Sequence, residues 1–100
     1  MTAKYRVEIT QSAEADIHDI WEYISADSPE TSAKFIAALL EQAEKLATMP
    51  NRCPLIPENA QLCTQYRHLL YGSYRTIFRI GGSKVFVLRV IHGSRLLELG

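Results

Sequence analysis

Nowhere in the 100 residues does an apolar run approach the roughly 20 that a membrane-spanning helix needs, so no membrane association is expected. The opening MTAKYRVEIT lacks the apolar stretch of a secretory signal, and a cytoplasmic protein is expected. Cysteine is scarce. Cys53 and Cys63 are the two present, with no CxxC pair and no His-Cys cluster beside them. That argues against a zinc site, and in a reducing compartment both are expected as free thiols. Also absent are a Gly-rich phosphate loop, a Ser-His-Asp arrangement, internal repeats and low-complexity segments. No metal and no cofactor is expected. Net charge is missing too, because 11 Lys and Arg balance 11 Asp and Glu.

What is present fits one domain spanning 1–100, with a hydrophobic fraction of 47%, enough for one modest core. The zero total hides a segregation. Met1 to Cys63 holds five basic and ten acidic residues, whereas Thr64 to Gly100 holds six basic residues and one acid, Glu98. A chain divided in this way can still meet a polyanion. The plainer alternative is that acids decorate helices and arginines decorate a sheet.

The hydrophobic period changes along the chain. Tyr5-Arg6-Val7-Glu8-Ile9 alternates, as a half-buried strand does, and could join the sheet formed later in the chain. From Thr10 to Ser25 the period is helical, with Ala13, Ile17, Ile20, Trp21 and Ile24 on one stripe and Thr10 or Ser12 as cap. Trp21 is expected in the core. Ser28-Pro29 is the start signal of a second helix, whose stripe is Ala33, Ile36, Leu39, Leu40, Ala43, Leu46 and Ala47, stopped by Met49-Pro50. The short connection predicts an antiparallel hairpin. Asn51 to Leu62 contains Pro54 and Pro57 and no period, which reads as an ordered surface loop, with Glu58 as an exposed acid.

Tyr66 to Arg95 reads as three short strands joined at Tyr71-Gly72-Ser73 and Gly81-Gly82-Ser83. Strict alternation puts Tyr74, Thr76, Phe78 and Ile80 on one face and Arg75, Ile77 and Arg79 on the other. It groups Phe86, Leu88 and Val90 beneath the helices, opposite Val85, Val87, Arg89 and Ile91. Arg75, Arg79 and Arg89, with Arg67 on a third strand, would then share a face left bare by the hairpin. Such a patch attracts phosphates or carboxylates. On a bare face, Arg75→Ala should change stability by no more than about 0.5 kcal/mol. The same alternation sends His92 toward the helices unless the strand ends or bulges before it. The fold class is therefore α+β: an N-terminal strand, an antiparallel helical hairpin, then a three-stranded antiparallel sheet.

That order of elements resembles the RelE/ParE superfamily of bacterial toxin–antitoxin modules. The residues carrying the resemblance span nearly the whole chain. Ala13-Glu14-Ala15-Asp16-Ile17 and Ile20-Trp21-Glu22-Tyr23-Ile24 look like its first helix. Leu46 to Pro50 looks like a helix end of the family. Tyr66-Arg67-His68-Leu69, Tyr74 to Ile80 and Val87 to Arg95 look like its sheet. The resemblance implies a small toxin held inactive by a cognate antitoxin in a hetero-oligomer, with an acidic antitoxin segment over Arg75, Arg79 and Arg89.

Two activities go with the resemblance. RelE-like members cleave messenger RNA on the ribosome without a metal, which would cast Arg75 as the phosphate stabiliser, His92 as the acid and Glu58 as the base. ParE-like members bind and poison DNA gyrase. Zero net charge, Gly93 directly after His92 and the lack of lysines between Asn51 and Gln65 favour the ParE-like class. For either target the anion-binding candidates are Arg67, Arg75, Arg79, Arg89 and Arg95. A third alternative is an inactive member that only forms a complex.

Overall fold

The computed structural model describes residues 4–98. Strand β1 is Arg6–Ile9, helix α1 Gln11–Ser25 and helix α2 Pro29–Glu44. Two single 3-10 turns (Lys45–Ala47 and Pro50–Arg52) and a short helix α3 (Asn59–Leu62) follow. The chain then forms β2 (Arg67–Tyr71), β3 (Tyr74–Gly81) and β4 (Lys84–His92).

Local chemistry accounts for the hairpin. Thr10 accepts the Ala13 N–H at 3.3 Å and donates its hydroxyl to the Val87 carbonyl at 2.9 Å, so one side chain caps α1 and ties it to β4. Ser28 accepts the Thr31 N–H at 3.3 Å, with Pro29 beginning α2. Between the helices sits Ser32, fully buried, its hydroxyl donating to the Trp21 carbonyl at 2.9 Å. The buried edge of α2 thus begins at Ser32, and Ala33, expected on the stripe, is exposed. Trp21 also departs from expectation. Ala13 and Ile20 turn toward the sheet, while Trp21 lies at the stripe's border, 44% exposed, its ring stacked on His18.

The sheet has four strands in the order β1-β4-β3-β2: the three expected C-terminal strands, joined by the N-terminal one. β2, β3 and β4 run antiparallel, and β1 adds parallel to β4, from Arg6 opposite Lys84 to Ile9 opposite Val87. Each hairpin turn opens on a glycine at positive φ, Gly72 at 57° and Gly82 at 60°, a conformation glycine adopts without steric cost.

A bulge changes the faces of β4. Phe78 pairs with Val87 but Ile77 pairs with Arg89, leaving Leu88 as the extra residue. Val85 and Val87 therefore lie under the helices with Phe78, Ala13, Ile20, Leu39 and Leu46, and Val90 joins them past the bulge. Phe86 and Leu88, expected there, are not in that buried cluster. Phe86 pairs with Arg79 instead, and the Arg79 guanidinium carbon lies 4.1 Å from its ring centre.

The second face of the sheet is not bare. Ile77 and Ile91 pack there against Ile56 from the loop and Leu97 beyond β4, forming a second buried cluster. The loop is pinned in place: the Ile56 N–H donates to the Tyr66 carbonyl at 3.0 Å, and Asn59 Oδ1 accepts the Tyr66 N–H at 3.0 Å. The fold is thus three layers: helices, sheet, and a cover made of loop and post-β4 segment.

Candidate functional site

Two side chains, one in the sheet and one in its cover, define the most chemically loaded place among the described residues. Arg75 is on β3, on the face with Ile77. Glu58 enters from the loop, immediately ahead of α3. Both are buried, at 4% and 7% exposure, so Glu58 is not the solvated acid its loop suggests and Arg75 is not an exposed patch residue. The guanidinium meets the carboxylate in a two-pronged pair: Nη1 donates to Oε1 at 3.0 Å and Nη2 to Oε2. Nη2 also donates to the Arg95 carbonyl at 2.7 Å, and Glu58 Oε2 accepts the Leu97 N–H at 2.8 Å. The remaining guanidinium donor, Nε, is buried without a partner.

This pairing sets the charge state. The Arg75 hydrogen bond, helped by the Leu97 N–H, outweighs burial and holds the Glu58 carboxyl at about 2, below its ordinary 4.5. A carboxylate so stabilised is a poor proton acceptor. Because the folded pKa is lowered, its contribution is complete above about pH 4.5 and is lost as pH falls through about 2. Acid titration of unfolding free energy should therefore show a loss of about 3 kcal/mol across that window, and Glu58→Gln should flatten it. His68 acts in the same direction. Burial first, then the nearby Arg75 charge, lowers its pKa, so its protonation below the ordinary 6.5 also disfavours the fold.

A cleft of about 540 Å³ opens beside this pair and is lined by Glu58, His68, Tyr74, Arg75, His92 and Arg95, among others. His68 Nδ1 is 3.3 Å from Arg75 Nη1 and can only be the acceptor. His92 ends β4. Although the bulge comes before it, it still pairs with Tyr74, on the Val90 side, and it is exposed rather than buried. The Ser94 N–H donates to His92 Nδ1 at 3.1 Å, which places the ring proton on Nε2. The Tyr74 ring meets the His92 ring edge-on, with centres 5.6 Å apart.

The fold thus gathers Arg75, His92, Glu58 and Arg95 and disperses the other candidates. Arg89 is drawn to α1, where Asp16 accepts Nε at 2.7 Å, Nη2 at 3.0 Å and the Val90 N–H at 2.9 Å. Arg67 donates to the Asn51 and Cys53 carbonyls at 3.2 and 2.6 Å, and with Arg79 it lines a separate cleft of about 440 Å³. The expected convergence of Arg67, Arg75, Arg79 and Arg89 on one bare face is therefore corrected. Two of the four are held by internal carboxylates. Arg67 pairs with Phe78, on the helix-covered face, so the β2 residues that share the Arg75 face are Leu70, opposite Arg75 itself, and the titratable His68. Sequence reasoning passed over His68, and the parity of β2 against β3 was the signal that could have found it. Cys53 and Cys63 are both free, and burial raises the Cys53 thiol pKa.

A family profile described as the ParE toxin of the type II toxin–antitoxin system parDE matches residues 7–97. Among solved structures, a chain of the chromosomal ParDE system from P. aeruginosa superposes with a TM-score of 0.70 at 21% identity, covering 91% of this chain and 98% of that one. A chain of the RelBE2 toxin–antitoxin complex from Mycobacterium tuberculosis gives 0.63 at 29% identity, covering 89% and 98%. No curated protein matches. The chain belongs to the ParE toxin family of type II toxin–antitoxin systems, within the RelE/ParE superfamily.

Proposed function

We propose that this ParE-family chain arrests growth by binding and poisoning DNA gyrase, and that a cognate antitoxin neutralises it. The observation that carries the choice of target is the state of Arg75. Cleavage of RNA by a ribose hydroxyl needs a cation free to meet the phosphorane and a base able to take a proton. Here the cation is 4% exposed and already neutralised by Glu58, and the candidate base has its pKa lowered to about 2 by that cation. A binding toxin needs neither group free. For the antitoxin, α1 presents Trp21 and Tyr23, 44% and 76% exposed, apolar surface at the rim of the helical layer. Among the described residues no helix is long and apolar enough to cross a membrane.

The alternative, messenger cleavage on the ribosome, draws on the gathering of His92, Arg75 and Glu58 around one cleft. A supercoiling assay with purified gyrase separates the two. Inhibition with trapped DNA breaks is the expected result. Unimpaired supercoiling at high protein concentration overturns the proposal. Messenger cut in a translating extract, and spared by His92→Ala, would move the chain to the nuclease class. Normal growth on induction of soluble protein without its antitoxin would leave only complex formation.

A further inference from the structure

The segment that follows β4 is held in an unusual way. Arg95 to Leu97 is neither strand nor helix, and it joins no ladder of the sheet. Apart from a turn bond from the Arg95 N–H to the His92 carbonyl at 3.0 Å, its hydrogen-bond tethers among the described residues come from two side chains elsewhere in the chain. Arg75 Nη2 holds the Arg95 carbonyl, and Glu58 Oε2 holds the Leu97 N–H. Leu97 is 4% exposed, set among Ile56, Ile77 and Ile91, while Leu96 between the tethers is 73% exposed. The segment is undercut on both sides. A cavity of about 360 Å³ lies between it and α3, and one of about 150 Å³ between it and Arg89 and Ile91.

We propose that residues 95–97 form a strap clamped by the Glu58–Arg75 pair, which opens and closes as a unit while the helices and sheet stay folded. In the closed form its own Leu97 fills an apolar groove floored by Ile77 and Ile91, and Arg95 and Leu96 are presented at the mouth of the His68–His92 cleft. Among the described residues, opening breaks two side-chain hydrogen bonds, at most one turn bond, and the packing of one leucine. The β2–β4 meander is held by backbone ladders, and the hairpin is held on it by the first core. A segment secured by so few contacts belongs to the low-stability end of a structure. Glu58 and Arg75 are positioning residues in this scheme: they act on whatever meets Arg95 and Leu96 by fixing where those side chains stand.

Limited trypsin digestion of the full chain reads the opening directly, because the bond after Arg95 lies between the two tethers. The expected first product within the 66–98 region ends at Arg95, before any cut after Arg75, Arg79 or Arg89. Weakening the clamp in Glu58→Gln, or the plug in Leu97→Ala, should speed that cut roughly tenfold or more. The sheet sites should stay uncut and the far-ultraviolet circular dichroism should stay native. Where Glu58→Gln fails to fold, Leu97→Ala and the wild-type chain carry the test. Cleavage after Arg95 that appears only together with cuts at the sheet arginines means opening is global unfolding and overturns the strap. An unchanged rate in Leu97→Ala overturns it as well.

Discussion

Arg75→Ala is expected to lower the unfolding free energy by roughly 3–5 kcal/mol, the cost of leaving a buried charge without its partner. An arginine on a wet strand face would cost about a tenth of that. The difference lies in what the substitution leaves behind. Glu58, 7% exposed beneath the arginine, loses both guanidinium donors and keeps backbone N–H groups such as that of Leu97. The Arg95 carbonyl loses its donor at the same time. His68 gains nothing, because its Nδ1 faced the departed guanidinium. Chemical denaturation at neutral pH measures the loss, and thermal melting should fall by more than about 10 °C. The partnered substitution, Arg75→Met with Glu58→Leu, removes both charges and should sit closer to wild type than Arg75→Ala alone. Stability within about 0.5 kcal/mol of wild type for Arg75→Ala would mean the pair opens to water and the buried clamp does not exist.

That expectation reverses what the sequence suggests about Arg75, and the reversal has a cause. Features decided within a few residues were legible: the Thr10 and Ser28 caps, Pro29 at the head of α2, and the glycines that open the two hairpin turns. Each is fixed by local backbone chemistry. Features decided across the chain were not. Glu58 and Arg75 are 17 positions apart, and Asp16 and Arg89 are 73 apart, so no window of sequence contains either pair. Alternation works only until a strand skips a residue. Val85 and Val87 face the helices on odd numbers, and Val90 does so on an even one, because Leu88 is squeezed out between them. Nothing in VFVLRVI announces that step.

The family of the chain was legible because the order of elements survives such errors. A superfamily resemblance needs the strand, the hairpin, the proline loop and the meander in sequence, and these are set by period and by turn residues. The composition of the site is a different kind of fact. It depends on which of two faces a strand residue takes, and a single bulge or a parity shift in β2 exchanges Arg67 for His68. The same geometry explains how a neutral chain with segregated charge avoids a large cationic face. Asp16 and Glu58, both from the acidic part of the sequence, are spent on Arg89 and Arg75 from the basic part. Segregation along the chain becomes pairing in space, and Arg79 and Arg95 stay exposed as cations.

Ile77 and Phe78 test whether the sheet is covered on both sides. They are sequence neighbours on β3, each 0% exposed, and they point to opposite faces. Phe78 belongs to the cluster under α1 and α2, and Ile77 to the cluster under Ile56 and Leu97. Phe78→Ala should cost roughly 3–5 kcal/mol and Ile77→Ala roughly 2–5, each leaving a cavity that close-packed neighbours fill only in part. On a sheet with one bare face, one of the two truncations would cost almost nothing, so the cost of Ile77→Ala decides the layer count. The two should also differ in kind. Phe78→Ala weakens the packing of the helical hairpin on the sheet, whereas Ile77→Ala removes the floor on which Leu97 rests. Equilibrium unfolding of both proteins gives the two costs. A value for Ile77→Ala below about 0.5 kcal/mol, the range of an ordinary surface change, would strip away the third layer and leave Glu58 with no reason to be buried.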